Sequence, residues 1–142
     1  MARVGKYELP DELYYHKEYL WVRVEGDVAV CGLIDHYQDV AGNISFVDLP
    51  MVGEMVTKDE RIGTFETGKW VGKIFAPVSG EIIETNEELA DDPSLINKDP
   101  YGAGWMFKIR MENPDELKEL YHGASAVAWQ EELLKKYPPK EG

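Results

Sequence analysis

Short apolar runs alternate with glycine- and proline-rich breaks along the chain, a rhythm that predicts strands more than helices. Leu20-Trp21-Val22-Arg23-Val24 and Val28-Ala29-Val30-Cys31 flank Glu25-Gly26-Asp27, which reads as a β-hairpin with a Gly-containing turn. Asp35 is placed to cap a short helix through His36-Tyr37-Gln38-Asp39-Val40, which Gly42 would end. Ile44-Ser45-Phe46-Val47 reads as another strand, whereas residues 1–18 read as polar and irregular. The segment from Asp91 to Gly104 is turn-rich and predicts a long loop; Trp105 to Ile109 predicts a strand. Asn113-Pro114-Asp115-Glu116 combines a capping residue, proline at the first helical position and Glu three after the cap, predicting a helix to about Tyr121 that stops near Gly123. A second helix is predicted from about Ser125 to Tyr137, with Lys135 and Lys136 at the end that a helix dipole favours and Pro138-Pro139 ending it.

The middle of the chain contains a quasi-repeat. Pro50-Met51-Val52-Gly53-Glu54-Met55-Val56 matches Pro77-Val78-Ser79-Gly80-Glu81-Ile82-Ile83, 27 residues later. Proline at the first corner and glycine three residues on are turn chemistry, so each unit feeds a short strand. Two such units predict two related half-sheets packed face to face. Between them, Arg61 to Phe75 is rich in β-branched and aromatic residues around Gly68, which would supply the permissive backbone of a tight turn. Lys69 therefore falls at or beside a hairpin tip.

A length of 142 residues predicts one domain over 1–142, with a core at about 14–125 and a C-terminal helical extension at about 113–137. The formal net charge of −12 would repel a phosphate backbone, which excludes nucleic acid and fits docking onto basic clefts of partner proteins. No apolar stretch is long enough to span a membrane, and the first residues lack the hydrophobic core of a signal peptide. Cys31 is the only cysteine, which excludes an internal disulfide and fits a reducing cytoplasm.

Gly63-Thr64-Phe65-Glu66-Thr67-Gly68-Lys69 superficially matches a phosphate-binding loop, but Trp70 replaces the required Ser or Thr and no helix pattern comes after it. His16, His36 and His122 are scattered, without Cys or carboxylate at ligand spacing, and read as surface or partly buried imidazoles. No nucleophile–base arrangement is apparent, so the chain is not read as an enzyme.

Glu66-Thr67-Gly68-Lys69, followed by Phe75-Ala76-Pro77-Val78-Ser79-Gly80-Glu81, resembles the lysine segment of the glycine cleavage H-protein family. Trp21-Val22-Arg23-Val24-Glu25-Gly26, Asp35-His36, Val47-Asp48-Leu49-Pro50, Leu95-Ile96-Asn97, Pro100-Tyr101-Gly102 and Gly104-Trp105 add blocks in the same order. The resemblance implies a mainly β (α+β) lipoyl/biotinyl-type hammerhead, a barrel-sandwich of two small antiparallel sheets with a short helix and C-terminal helices. It implies lipoic acid in amide linkage on Lys69, with Glu66 and Gly68 as accompanying site residues. Biotin fits poorly, because Gly68 and Trp70 replace the methionines that usually flank a biotinylated lysine.

The resemblance also implies partners: a lipoate ligase, then glycine decarboxylase, aminomethyltransferase and dihydrolipoamide dehydrogenase. Three positions where the family usually carries polar cleft residues are Leu20, Val40 and Lys73 here, a poor setting for a protonated amine. Together with Gly68-Lys69-Trp70-Val71-Gly72, similar to lipoate-binding carriers of heterodisulfide-reductase-like sulfur oxidation, they favour a sulfur cargo and that reductase-like complex as partner. The conventional shuttling of an aminomethyl group is the alternative.

Overall fold

The computed structural model describes residues 2–138, so Pro139 lies outside it. The segment expected to be irregular forms strands: β1 (Ala2–Val4) and β2 (Tyr7–Leu9) make a hairpin, and β3 (Tyr14–His16) joins the main sheet. Their alternating pattern is too short to register as periodicity. Their stability is tertiary: Val4, Tyr7, Leu9 and Leu13 are buried against the rest of the molecule.

The main sheet is antiparallel and has seven strands. Beyond β3 it contains β4 (Leu20–Glu25), β5 (Val28–Leu33), β7 (Met55–Val56), β10 (Gly80–Thr85), β11 (Phe107–Met111) and β12 (Tyr121–His122), in the order β12-β3-β4-β5-β11-β10-β7. A second sheet has three strands, β6 (Ile44–Asp48), β8 (Arg61–Thr67) and β9 (Val71–Phe75), in the order β6-β8-β9. Helix α1 (Asp35–Ala41) leads from β5 into β6, and α4 (Ala124–Lys136) packs beside β1 and β12.

This arrangement corrects the expected barrel-sandwich. The fold is mixed α/β, its sheets are open and they are unequal in size. The quasi-repeat does not build two opposed half-sheets; its two strands pair with each other, Gly80 with Val56 and Glu81 with Met55, inside the seven-stranded sheet. That sheet ends at β7 and β12, each two residues long, which do not pair with one another, and closure needs continuous edge-to-edge pairing.

Local expectations also shift. Asp35 opens α1 rather than capping it; its carboxylate accepts the Glu8 N–H at 3.0 Å and the Gln38 amide at 2.9 Å, which docks the β1–β2 hairpin onto the helix. The expected 91–104 loop contains the end of α2 (Glu88–Asp91) and all of α3 (Leu95–Lys98). Asn113 does cap, accepting from the Asp115 N–H at 3.2 Å, but the chain then forms a 3-10 helix (Pro114–Glu119) and β12 in place of the expected α-helix.

The core includes Trp21, Leu33, Phe65, Ile74, Phe107 and Ile109, all fully buried. Trp21 faces Gly32 across β4–β5, where a Cβ would lie 2.6 Å from the indole, and its N–H donates to the Pro100 carbonyl at 2.9 Å. The sequence blocks around Trp21 and Pro100 thus meet in space, although 79 residues separate them.

Candidate functional site

The β8–β9 hairpin presents Lys69 at its tip. Phe65 points inward and is fully buried, and its cross-strand partner is Gly72, where a Cβ would fall 2.2 Å from the Phe65 ring. That absence of a side chain lets the aromatic ring lie flat under the hairpin. At the turn, the Thr67 N–H donates to the Trp70 carbonyl at 2.8 Å, and the Thr67 hydroxyl accepts from the Lys69 N–H at 3.3 Å. Thr67 therefore fixes the tip from both backbone and side chain.

Gly68 does not play the conformational part expected of it. Its φ is not in the left-handed region, and a Cβ there would meet nothing within 4 Å. The Lys69 side chain is exposed, with no hydrogen bond or ion pair among the described residues. Trp70 anchors the other side of the turn edge-on to Tyr37 at 5.5 Å between ring centroids, and Tyr37 stacks on Tyr19 at 4.2 Å. Tyr19, with φ 77, is the last residue of the turn that joins β3 to β4, and its N–H donates to the His16 carbonyl at 2.9 Å. Burial pushes the Tyr19 and Tyr37 hydroxyls above the ordinary tyrosine range, so this wall stays neutral.

Two depressions flank the tip. On the β9 side lies a cleft of about 280 Å³ bordered by Glu18, Tyr19, Tyr37, Trp70 and Lys73. On the β6 side a groove of about 540 Å³ starts at Lys69 itself and runs past Thr67, Ser45 and Asn43 to the end of α1. Of the three positions read as lost polar groups, Leu20 is fully buried in the core and Val40 borders neither depression; only Lys73 lines the cleft. Glu18 supplies a carboxylate there after all.

Glu66 is exposed, with no ion pair among the described residues, on the outer face of the three-stranded sheet; Phe46 and Val71 are its partners across the neighbouring strands. Sequence reasoning missed Glu18, Tyr19, Tyr37 and Thr67. Thr67 had a readable signal, a hydroxyl two residues before the lysine. The others reach the hairpin only through the tertiary fold.

The histidines are better partnered than their spacing implies. His16 is buried; its Nδ1 accepts the Glu18 N–H at 3.1 Å, so Nε2–H donates to Asp59 at 2.5 Å. Burial lowers its pKa, outweighing the opposing pull of Asp59, whose own carboxyl is held below the usual range chiefly by that hydrogen bond. His36 is also buried: Gln130 donates to Nδ1 at 2.8 Å and Nε2–H donates to the Tyr137 carbonyl at 2.7 Å. His122 stacks on Tyr14. No group of three or more metal-ligating side chains occurs among the described residues, and no helix there is long and apolar enough to cross a membrane.

The family model for the glycine cleavage H-protein matches residues 13–133. The chain belongs to that family. It is accordingly a lipoyl-arm carrier rather than an enzyme. It is 43% identical over 119 residues to a glycine cleavage system H protein of Acinetobacter baumannii, covering 84% of this chain and 96% of that one. It is 42% identical to the probable glycine cleavage system H protein 2 of Saccharolobus solfataricus, covering 89% of this chain and 88% of the relative. The crystal structure of a glycine cleavage system H protein from Mycobacterium marinum superposes with a TM-score of 0.76 at 34% identity, over 86% of this chain and 98% of that one. All three names are of the glycine cleavage system, and the resemblance to sulfur-oxidation carriers gains no support from them.

Proposed function

We propose that this H-protein family member carries lipoic acid in amide linkage on Lys69 and shuttles an aminomethyl group in the glycine cleavage system. The observation that carries this is the exposed Lys69 side chain, unpartnered among the described residues, at the tip of a hairpin braced by Thr67, Phe65 and Trp70. A rigid base with an accessible amine is what an attaching enzyme needs. The bound group supplies thiol–disulfide chemistry. The chain supplies the tether, which keeps that chemistry at high effective concentration beside a docked enzyme.

On this reading the whole chain is one carrier domain working in the cytoplasm. A lipoate ligase attaches the arm, glycine decarboxylase loads it, aminomethyltransferase unloads it and dihydrolipoamide dehydrogenase reoxidises it. Glu66 belongs to the face presented to those enzymes, and Gly68 keeps the space beside the lysine open. The apparent loss of polar groups near the arm favours a sulfur cargo in the sequence alone. Glu18 at the cleft and the names of the relatives weigh against it.

The test is exchange of labelled bicarbonate into glycine by a glycine decarboxylase supplied with the lipoylated chain. Wild type should support exchange and Lys69→Ala should not. A fully lipoylated chain that supports no exchange would contradict the aminomethyl reading.

A further inference from the structure

We infer that the groove between the Met51–Glu54 turn and α2 is a docking site for a partner protein, and that it takes an arginine side chain flanked by apolar residues. The inference needs no arm on Lys69 and stands apart from the carrier reading.

The groove has a volume of about 490 Å³ and shares no lining residue with the depressions beside Lys69. Val52, Ile83 and Trp105 line it together with Glu84, Glu87 and Glu88, and no basic side chain does. Beside it, Met51, Val52 and Met55 are 72%, 61% and 59% exposed. Single exposed apolar residues are ordinary, but three in one turn and its following strand mark an interaction surface. The turn is held stiffly. The Gly53 N–H donates to the Ile82 carbonyl at 2.8 Å, the Ile82 N–H to the Glu54 carbonyl at 2.9 Å, and the Glu54 carboxylate accepts the Met51 N–H at 3.0 Å. Buried Asn86 donates to the Trp105 carbonyl at 2.8 Å and accepts from the Glu88 N–H at 3.2 Å, which ties the Trp105 segment to the start of α2. A groove fixed on both sides loses little freedom on binding.

The charge pattern selects the occupant. Lys108 lies over the Trp105 ring at 5.1 Å and pairs with Glu84 at 3.2 Å, so indole and carboxylate here already hold a cation. Glu87 and Glu88 are exposed, with no ion pair among the described residues. Their carboxylates belong to no metal-ligating group there. A second copy of the chain, with its net charge of −12, would be repelled. A planar guanidinium stacks on an indole and bonds a carboxylate at once, which a compact ammonium does less well. Apolar neighbours of that arginine cover Met51 and Val52.

The test is an amide spectrum of nitrogen-labelled full-length protein titrated with the peptide acetyl-Leu-Arg-Leu-amide. Saturable shifts are expected at Val52, Gly53, Glu87, Glu88 and the Trp105 indole N–H, with Thr67, Gly68 and Gly72 unmoved. Citrulline in place of arginine should abolish them, and acetyl-arginine amide without the leucines should bind about fivefold more weakly. Glu87→Gln combined with Glu88→Gln should weaken peptide binding about fivefold, the worth of a well-placed exposed ion pair. Glu131→Gln combined with Glu132→Gln, the same change of charge on α4, should leave it unaltered. No saturation by about 10 mM peptide, beyond the weak end of specific affinity, would overturn the inference. So would shifts centred elsewhere, equal loss in the two double variants, or equal binding of the citrulline peptide or of acetyl-arginine amide.

Discussion

Two glycines near Lys69 look alike in the sequence and do opposite work. Gly68 has open space at its Cβ position and an ordinary backbone, so Gly68→Ala should leave the melting temperature within about a degree, as surface changes usually do. Gly72→Ala would drive a methyl into the Phe65 ring, at 2.2 Å from the nearest atom, and overpacking of this kind costs about 1–3 kcal/mol. Thermal melts of the two variants side by side check this; equal stabilities would contradict the packing described. Thr67→Val removes the acceptor of the Lys69 N–H. Hydrogen exchange at that amide should quicken several-fold while amides in β4 and β5 keep their protection.

At the scale of elements, two buried imidazoles tie separate pieces together. His36 joins α1 to α4 through Gln130 and the Tyr137 carbonyl, and His16 joins β3 to the turn at Asp59. In each case one ring nitrogen accepts and the other donates, which requires the neutral form. Burial lowers both pKa values in the folded state. The unfolded chain therefore takes up protons first as pH falls through about 6.5, and stability declines below that point while being fully present above it. The slope approaches about 1.4 kcal/mol per pH unit for each histidine over the window between its two pKa values. Urea unfolding at pH 7.5, 6.5 and 5.5 should show the decline, and His36→Gln should flatten it while lowering stability throughout. A wild-type profile flat over that range would contradict the neutral pairing.

For the whole molecule, the hairpins are legible in the sequence because their turns and alternation are local: β4–β5 and the Lys69 tip stand where the pattern puts them. The C-terminal helix is legible for the same reason. Sheet architecture is not, because the quasi-repeat specifies two turn–strand units and says nothing about whether they pair together or apart. The structure pairs them, and the expected closed sandwich becomes open sheets. The surroundings of the lysine are legible only in part. Aligning Leu20 with a polar cleft position overlooks the β3–β4 turn: Leu20, the first residue of β4, is buried, and Glu18 in the turn borders the cleft instead. With Glu18 at the cleft, the apparent loss of polar groups no longer argues for a sulfur cargo.

Whether Lys69 bears the arm is tested most directly by intact mass spectrometry of the protein purified from its native host, alongside Lys69→Arg. The wild type should show the added mass of one lipoyl group, mapped to the peptide containing Lys69, and the variant should show none. An unmodified wild type, or the same added mass on both proteins, would contradict the assignment.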